Sequence, residues 1–98
     1  MNLYTLPDPA SGKESFFPLH QSKGLKIEAI RSRLSEPGKY YDQEDDEWVV
    51  LIRGEASLEV EGKICDLNEG DSLFLPKHTR HQVLSTSDDA LWLAIFSS

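Results

Sequence analysis

The sequence lacks the features that mark several large classes of protein. Among its 98 residues there is one cysteine, Cys65, so neither an intrachain disulfide nor a cysteine zinc cage can form. The apolar run at Leu91–Phe96 is far too short to cross a bilayer. The first residues show no basic segment followed by an apolar stretch, as a signal peptide would. These absences predict a protein of the reducing cytoplasm.

Positive charge is also scarce. Lys and Arg number 10 against 17 Asp and Glu, which gives a formal net charge of -7. Such a chain repels phosphate backbones and anionic lipid surfaces, so we expect no nucleic-acid partner and no membrane partner. A small-molecule ligand is the partner class that this composition leaves open.

No segment shows a sustained helical period of apolar residues, and the length allows one domain. Short runs rich in β-formers alternate instead with Gly, Pro, Asn and Asp turns. This pattern predicts an all-β, antiparallel sandwich or barrel. The expected strands are Lys26–Leu34, Glu47–Arg53, Ala56–Val60, Lys63–Leu67, Asp71–Leu75, His81–Ser85 and Leu91–Phe96.

The N-terminal part differs in composition from the rest. Three prolines and two glycines fall within residues 1–24, which we expect to form an irregular arm with one short extended piece at Phe16–Leu19. Residues 25–98 then form the β-barrel domain.

Two of the expected strands are apolar on both faces. In Glu47–Arg53, Trp48 and its same-face neighbours lie opposite Val49 and Leu51, and Leu91–Phe96 repeats this arrangement around Trp92. One barrel has one interior, so the second apolar face needs the N-terminal arm or a partner subunit to cover it. We expect a homodimer.

Two stretches carry Gly, Pro, Glu and His at defined spacings. In the first, which begins at Gly38, six residues separate Glu47 from Gly54. The second contains Gly70, Pro76, His81 and Ser85. Together they resemble the two motifs of the cupin superfamily, G…HxH(x)3–4E(x)6G and G(x)5P(x)4H(x)3N, with Ser85 at the Asn position. The chain is thereby identified as resembling a small single-domain cupin of the cupin-2 type.

The resemblance implies an antiparallel jelly-roll β-barrel that holds a metal ion on two His and a Glu of the first motif and one His of the second. Glu47 and His81 match two of these ligands. The two first-motif histidines are replaced, either by Tyr41 and Gln43 or, with the other spacing, by Tyr40 and Asp42.

The substituted residues permit a weaker metal site. Gln43, Glu47 and His81 could hold a divalent ion such as Mn²⁺, Fe²⁺, Ni²⁺ or Zn²⁺, with Tyr41 or water completing the shell. His78, three residues before His81, could approach the same ion if its loop folds back. The alternative is a buried hydrogen-bond network without metal.

Two functional hypotheses follow. In the first, the protein is a metal-dependent enzyme acting on a small organic molecule, with Tyr41 as acid or base. In the second, it is a non-catalytic small-molecule-binding or structural cupin without metal. The sequence selects neither the substrate nor the reaction.

Overall fold

The structure is built almost wholly from β-strands. A computed structural model describes residues 1–98 of the chain. Apart from a short 3-10 helix at Leu3–Thr5, its regular elements are nine strands. They are β1 (Glu14–Ser22), β2 (Leu25–Ser32), β3 (Tyr40–Tyr41), β4 (Asp46–Arg53), β5 (Ala56–Val60), β6 (Lys63–Leu67), β7 (Ser72–Leu75), β8 (His81–Thr86) and β9 (Ala90–Ser97).

The strands form two antiparallel sheets that pack face to face. The larger sheet has the order β1-β2-β9-β4-β7, and the smaller has the order β3-β8-β5-β6. Most consecutive strands lie in different sheets, as in a jelly roll, whereas β1–β2 and β5–β6 are hairpins within one sheet. The expected all-β jelly-roll class is confirmed, although the two sheets do not close into one continuous barrel.

The hydrophobic core fills one end of the space between the sheets. Side chains from the inner faces of β4, β5, β6 and β9 meet there, because residues with even spacing along a strand share a face. Leu51 is fully buried, and Leu58, Leu67 and Trp92 surround it in the same cluster. Trp92 therefore belongs to the interior, and Leu91 lies on the other face of β9 in a second cluster.

The N-terminal segment is more regular than its composition indicates. Residues 14–22 form β1, which pairs with β2 along its whole length and has a register shift between Pro18 and His20. Proline fits here because β1 is an edge strand and needs no donor on its outer side. The irregular arm expected over residues 1–24 is thus reduced mainly to the residues before Glu14.

These first residues cover part of the larger sheet's outer face. Leu6 packs on Ala29 and Leu91 in the second cluster. The buried Arg31 guanidinium donates to the backbone oxygens of Leu6 and Ala90 and pairs with Asp8. The arm therefore covers part of the second apolar face.

The glycine after β4 is required by a close approach. Gly54 has φ of +93°, and a side chain there would run into Ser87 Oγ. That hydroxyl accepts a hydrogen bond from the Glu55 backbone N–H at 2.9 Å. A glycine is needed because both its dihedral and its neighbour exclude a Cβ atom.

The short strand β3 was not expected from the sequence. Tyr40 and Tyr41 lie in a charged stretch and pair only with Gln82 and His81 of β8.

No helix in the structure has the length and apolarity that a membrane crossing requires.

Candidate functional site

A cavity of about 550 Å³ opens between the sheets beside the core, and the core residues Leu58 and Trp92 form part of its wall. Its walls include apolar side chains such as Phe16, Val49 and Phe96. A cavity of this size that combines apolar walls with convergent polar groups is a usual site for a small molecule. The polar lining comes from Glu14, Lys26, Glu28, Lys39, Tyr41, Gln43, Asp45, Glu47 and His81.

Glu47 and His81 approach each other from opposite sheets. Glu47 begins the inner face of β4, and His81 begins the inner face of β8. Each residue is only 6% exposed, and Glu47 Oε1 lies 3.8 Å from His81 Nε2. The two motif residues thus form a buried pair that lines the cavity.

Two neighbours orient this pair. The Gln43 side-chain amide donates to Glu47 Oε1 at 2.8 Å. On the other side, His81 Nδ1 lies 2.9 Å from the Thr79 carbonyl oxygen, which can only accept. Nδ1 therefore carries a proton, and in the neutral ring Nε2 keeps a free lone pair that faces the carboxylate.

Burial changes the acidity of Glu47. Desolvation raises the pKa of this carboxyl above its ordinary value of 4.5, and the nearby charge of Glu28 adds to the rise. The hydrogen bond from Gln43 and the charges of His81 and Lys26 act in the opposite direction. Burial dominates because the carboxylate loses most of its hydration.

Tyr41 completes this end of the cavity. Its ring stacks on that of His81, with centroids 5.6 Å apart, since the two residues are partners in the β3–β8 pairing. Burial raises the pKa of the phenol, and the charges of Glu14, Glu47 and Glu28 raise it further. At neutral pH the side chain is therefore a neutral hydrogen-bond donor.

A second polar group lies on β1 and β2 and was missed in the sequence. Glu28 is buried and pairs with Lys26 at 3.6 Å. Glu14 accepts a 2.6 Å hydrogen bond from Ser32, whose oxygen accepts from Trp92 Nε1 at 3.1 Å. The alternation of Lys26 and Glu28 with Ile27 and Ala29 would place the two charged residues on an outer face, so no local signal marks them as cavity residues.

His78 does not line the cavity. It is exposed, adopts φ of +61°, and its Nδ1 lies 3.2 Å from Asp42 Oδ1. Its backbone N–H donates to the Gln43 carbonyl at 2.7 Å, which ties the β7–β8 loop to the segment before β4. The structure thus brings Tyr41, Gln43, Glu47 and His81 together and leaves His78 outside the group.

The donor set fits a divalent cation only in part. Nowhere do three or more His, Cys, Asp or Glu side chains converge as a metal site. Glu47 and the Nε2 lone pair of His81 are two suitable ligands, and Gln43 would be a third if its amide oxygen replaced its nitrogen beside Glu47. The arrangement suits an ion held by few protein ligands, with water filling the shell.

A jelly-roll sandwich with a polar cavity at one end defines a class of small β-domains. Within that class, the family model described as a cupin domain matches residues 34–96. This chain belongs to the cupin family. An uncharacterized protein of Aquifex aeolicus (strain VF5) is 38% identical over 58 residues, and the match spans 59% of this chain but only 48% of that relative.

Solved structures agree with this assignment. A protein of Ralstonia eutropha JMP134, provisionally described as a mannose-6-phosphate isomerase, is 36% identical with a TM-score of 0.85, and the match covers 100% of this chain and 96% of that one. KdgF from a Halomonas species is 21% identical with a TM-score of 0.80, covering 91% and 82% of the two chains. A cupin 2 conserved barrel domain protein of Leptotrichia buccalis, 22% identical, has a TM-score of 0.87 over 100% of this chain and 47% of its own. The last two likenesses concern the fold alone.

Proposed function

We propose that this cupin binds a small hydroxylated organic molecule in the cavity between the sheets, beside a divalent metal ion held by Glu47 and His81. The observation that carries the proposal is the orientation of these two side chains. A carboxylate oxygen and an imidazole lone pair face each other at 3.8 Å in a buried place.

Two hydrogen-bond acceptors in such a position repel each other unless a positive charge or a donor lies between them. A divalent cation supplies that charge, and both side chains are of the type that bind it. When bound, such an ion would polarise a carbonyl or hydroxyl oxygen of the ligand. The hydrogen bond from His81 Nδ1 to Thr79 fixes the ring in the orientation that a metal ligand needs.

The cavity's charges indicate the class of ligand. Four carboxyl groups line it, against the two lysines Lys26 and Lys39. Lys26 is already paired with Glu28. An anionic phosphate would meet net negative charge here, whereas hydroxyl groups can donate to the carboxylates. The Ralstonia eutropha relative is described as acting on a sugar phosphate. The charges of this cavity favour the sugar part of such a molecule over its phosphate group.

Tyr41 stands where it could contact such a ligand. Its phenol lines the cavity beside His81 and is protonated at neutral pH. It can therefore donate a hydrogen bond or a proton to a ligand oxygen. An enzymatic role for Tyr41 is part of the proposal.

A metal-free binding cupin is the second candidate, and one observation favours it. Glu47 already accepts a 2.8 Å hydrogen bond from Gln43. A proton shared with His81 would satisfy the remaining acceptors without any ion. In that case the cavity binds its ligand through hydrogen bonds and apolar contacts only.

Elemental analysis of protein purified without chelator and without a polyhistidine tag distinguishes the two candidates. We expect a divalent transition metal in wild-type protein and its loss in His81→Ala. His78→Ala is the matched control, because it deletes the same side chain at an exposed position only three residues away.

Thermal unfolding in the presence of Mn²⁺, Fe²⁺, Ni²⁺ or Zn²⁺ gives a second readout. A ligand that binds only the folded state raises the unfolding temperature, so wild type and His78→Ala should gain stability on metal addition and His81→Ala should not. Equal metal content and equal metal stabilisation in all three proteins would overturn the assignment of the ion to Glu47 and His81.

A further inference from the structure

The inner face of the larger sheet carries polar groups on both sides of one aromatic ring. The pairing of β4 with β9 and of β9 with β2 places Glu47, Phe96 and Lys26 side by side in one row. Glu28, two residues further along β2, lies opposite Ala94 in the next row. Because neighbouring strands are about 4.8 Å apart, the backbone of Lys26 is about 10 Å from that of Glu47. Lys26 and Glu28 therefore form a second polar group in the cavity, separated from Glu47 by Phe96.

Glu28 is a buried carboxylate that accepts no hydrogen bond from the protein. The residue is only 6% exposed, and its ion-pair partner Lys26 Nζ lies 3.6 Å away, beyond hydrogen-bond distance. Glu14 and Glu47, in contrast, accept hydrogen bonds from side chains of neighbouring strands or loops. A buried carboxylate needs donors, and Glu28 faces the cavity. The contents of the cavity are therefore the source from which its donors can come.

Lys26 determines which donors fit beside Glu28. Its Nζ lies 3.6 Å from Glu28 Oε2 and 5.0 Å from the centre of the Phe96 ring. A cationic ligand group at Glu28 would be repelled by this ammonium, and an anionic group at Lys26 would be repelled by the carboxylate. A neutral hydroxyl group avoids both penalties, because it can donate to the carboxylate and accept from the ammonium. Two hydroxyls on neighbouring carbon atoms can engage both side chains at once.

Phe96 supplies an apolar surface between the two polar groups of the cavity. Its ring is half-buried and lines the cavity wall. A sugar-like molecule has hydroxyl groups at its edge and C–H groups on its faces, so one face can pack on the ring while the edge reaches the polar side chains. The spacing of the rows suits a ligand that extends from Glu47 across Phe96 to Lys26.

We propose that Lys26 and Glu28 determine the specificity of the cavity by binding two neighbouring hydroxyl groups of a neutral, sugar-like ligand whose C–H face packs on Phe96. This inference rests on the proposed function, because it assumes that a hydroxylated molecule occupies the cavity. It adds the part of the ligand that is recognised away from Glu47 and His81, and it excludes ligands that are charged at this position.

NMR titration of the nitrogen-labelled protein with D-mannose, D-glucose and D-galactose tests the proposal. At least one of these sugars should shift the backbone amide resonances of Lys26, Glu28 and Phe96. Glu28→Gln and Lys26→Met keep the approximate size of each side chain and should each weaken the binding of that sugar at least about ten-fold. Glu69→Gln and Lys63→Met make the same changes at exposed positions and should bind like wild type. Circular dichroism and thermal unfolding establish that all four variants are folded.

Deoxy analogues of the bound sugar, each lacking one hydroxyl group, provide the decisive arm. Two analogues that lack neighbouring hydroxyls should each bind wild type at least about ten-fold more weakly than the parent sugar. One of them should bind Glu28→Gln as well as the parent sugar does, because the carboxylate that this hydroxyl contacts is already gone. The other should behave in the same way with Lys26→Met.

The outcomes separate this inference from the proposed function. Equal affinity of wild type, Glu28→Gln and Lys26→Met for a sugar would overturn the role of Lys26 and Glu28 and leave a hydroxylated ligand in the cavity. If none of the three sugars binds wild type, the hydroxylated ligand of the proposed function is overturned together with this inference. The metal content of the same preparations tests the ion at Glu47 and His81 separately.

Discussion

The two ends of the space between the sheets are built from the same strands but have opposite character. Along the inner face of β4, Glu47 lies at the cavity, Val49 lies between, and Leu51 lies in the core. All three are buried, and Leu51 alone has no exposed surface. The core end supplies stability, whereas the cavity end holds a buried carboxylate that stability alone does not require.

The largest expected effect is at the core end. Leu51 has no exposed surface, so Leu51→Ala leaves a cavity and should lower the free energy of unfolding by about 2–5 kcal/mol. Urea unfolding followed by circular dichroism measures this. Ile64→Ala removes a largely exposed aliphatic side chain and should change stability by no more than about 0.5 kcal/mol. Similar losses in the two variants would mean that the core is not where the structure places it.

The backbone at the same end should tolerate little change. Gly54→Ala combines a left-handed dihedral with the clash against Ser87, whereas Gly62→Ala has the dihedral alone and open space around it. We expect Gly62→Ala to cost about 1 kcal/mol and Gly54→Ala clearly more. The two midpoints of urea unfolding give the comparison, and equal values would contradict the close packing of Ser87 on Gly54.

At the cavity end, removal of a charge should stabilise the metal-free protein. Glu47→Gln keeps the size of the side chain and deletes a buried negative charge, so thermal unfolding at neutral pH should occur at a higher temperature. With metal present the order should reverse, because the wild-type carboxylate is a ligand and the amide is a poorer one. Glu69→Gln, at an exposed turn position, is the control and should follow wild type.

The pH dependence of stability in wild type and Glu47→Gln tests whether the buried charge of Glu47 causes the difference between them. Burial raises the pKa of Glu47, so the folded state binds the proton more tightly than the unfolded state. In wild type this contribution to stability is complete below the ordinary pKa of 4.5 and is lost as pH rises through the raised value. The advantage of Glu47→Gln over wild type should therefore grow from acid to neutral pH. An advantage that shrinks over this range would show that the pKa of Glu47 is lowered in the folded protein.

The smallest effect is expected at His78, which lies outside the cavity. Its only side-chain partner is Asp42, and both are exposed. His78→Ala should change the free energy of unfolding by about 0.5 kcal/mol or less. Replacement by glycine should be neutral or slightly stabilising, because His78 holds a positive φ that glycine adopts without strain. A large loss in either variant would mean that His78 contributes to the site after all.

The sequence predicts the strands of the domain better than those near its start. Ala56–Val60 and Lys63–Leu67 have the expected bounds as β5 and β6, because a tight Glu61–Gly62 turn and alternating side chains define them locally. β3 has only two residues and exists through its pairing with β8, a contact that no local pattern encodes. β1 is obscured by Pro18, which an edge strand tolerates.

The same distinction between local and distant information applies to the cavity. Motif spacing placed Glu47 and His81 together, and the structure brings them to 3.8 Å. Motif spacing could not place Glu14 and Glu28 in the cavity, because their inner-face position depends on the register of β1 and β2 with β9. The exposed position of His78 could not be read from the motif spacing either, because it goes with a positive φ at His78 itself.

Nitrogen NMR of the histidine rings tests whether Glu47 and His81 form a site for a divalent cation. In metal-free protein we expect a proton on His81 Nδ1, because this atom faces the Thr79 carbonyl oxygen, so that Nε2 is the ring nitrogen open to a metal ion. Added Zn²⁺ should shift the His81 Nε2 resonance strongly and leave both ring nitrogens of His78 unchanged. A proton on Nε2 of His81 and a ring that does not respond to Zn²⁺ would contradict the claim and favour the metal-free binding cupin.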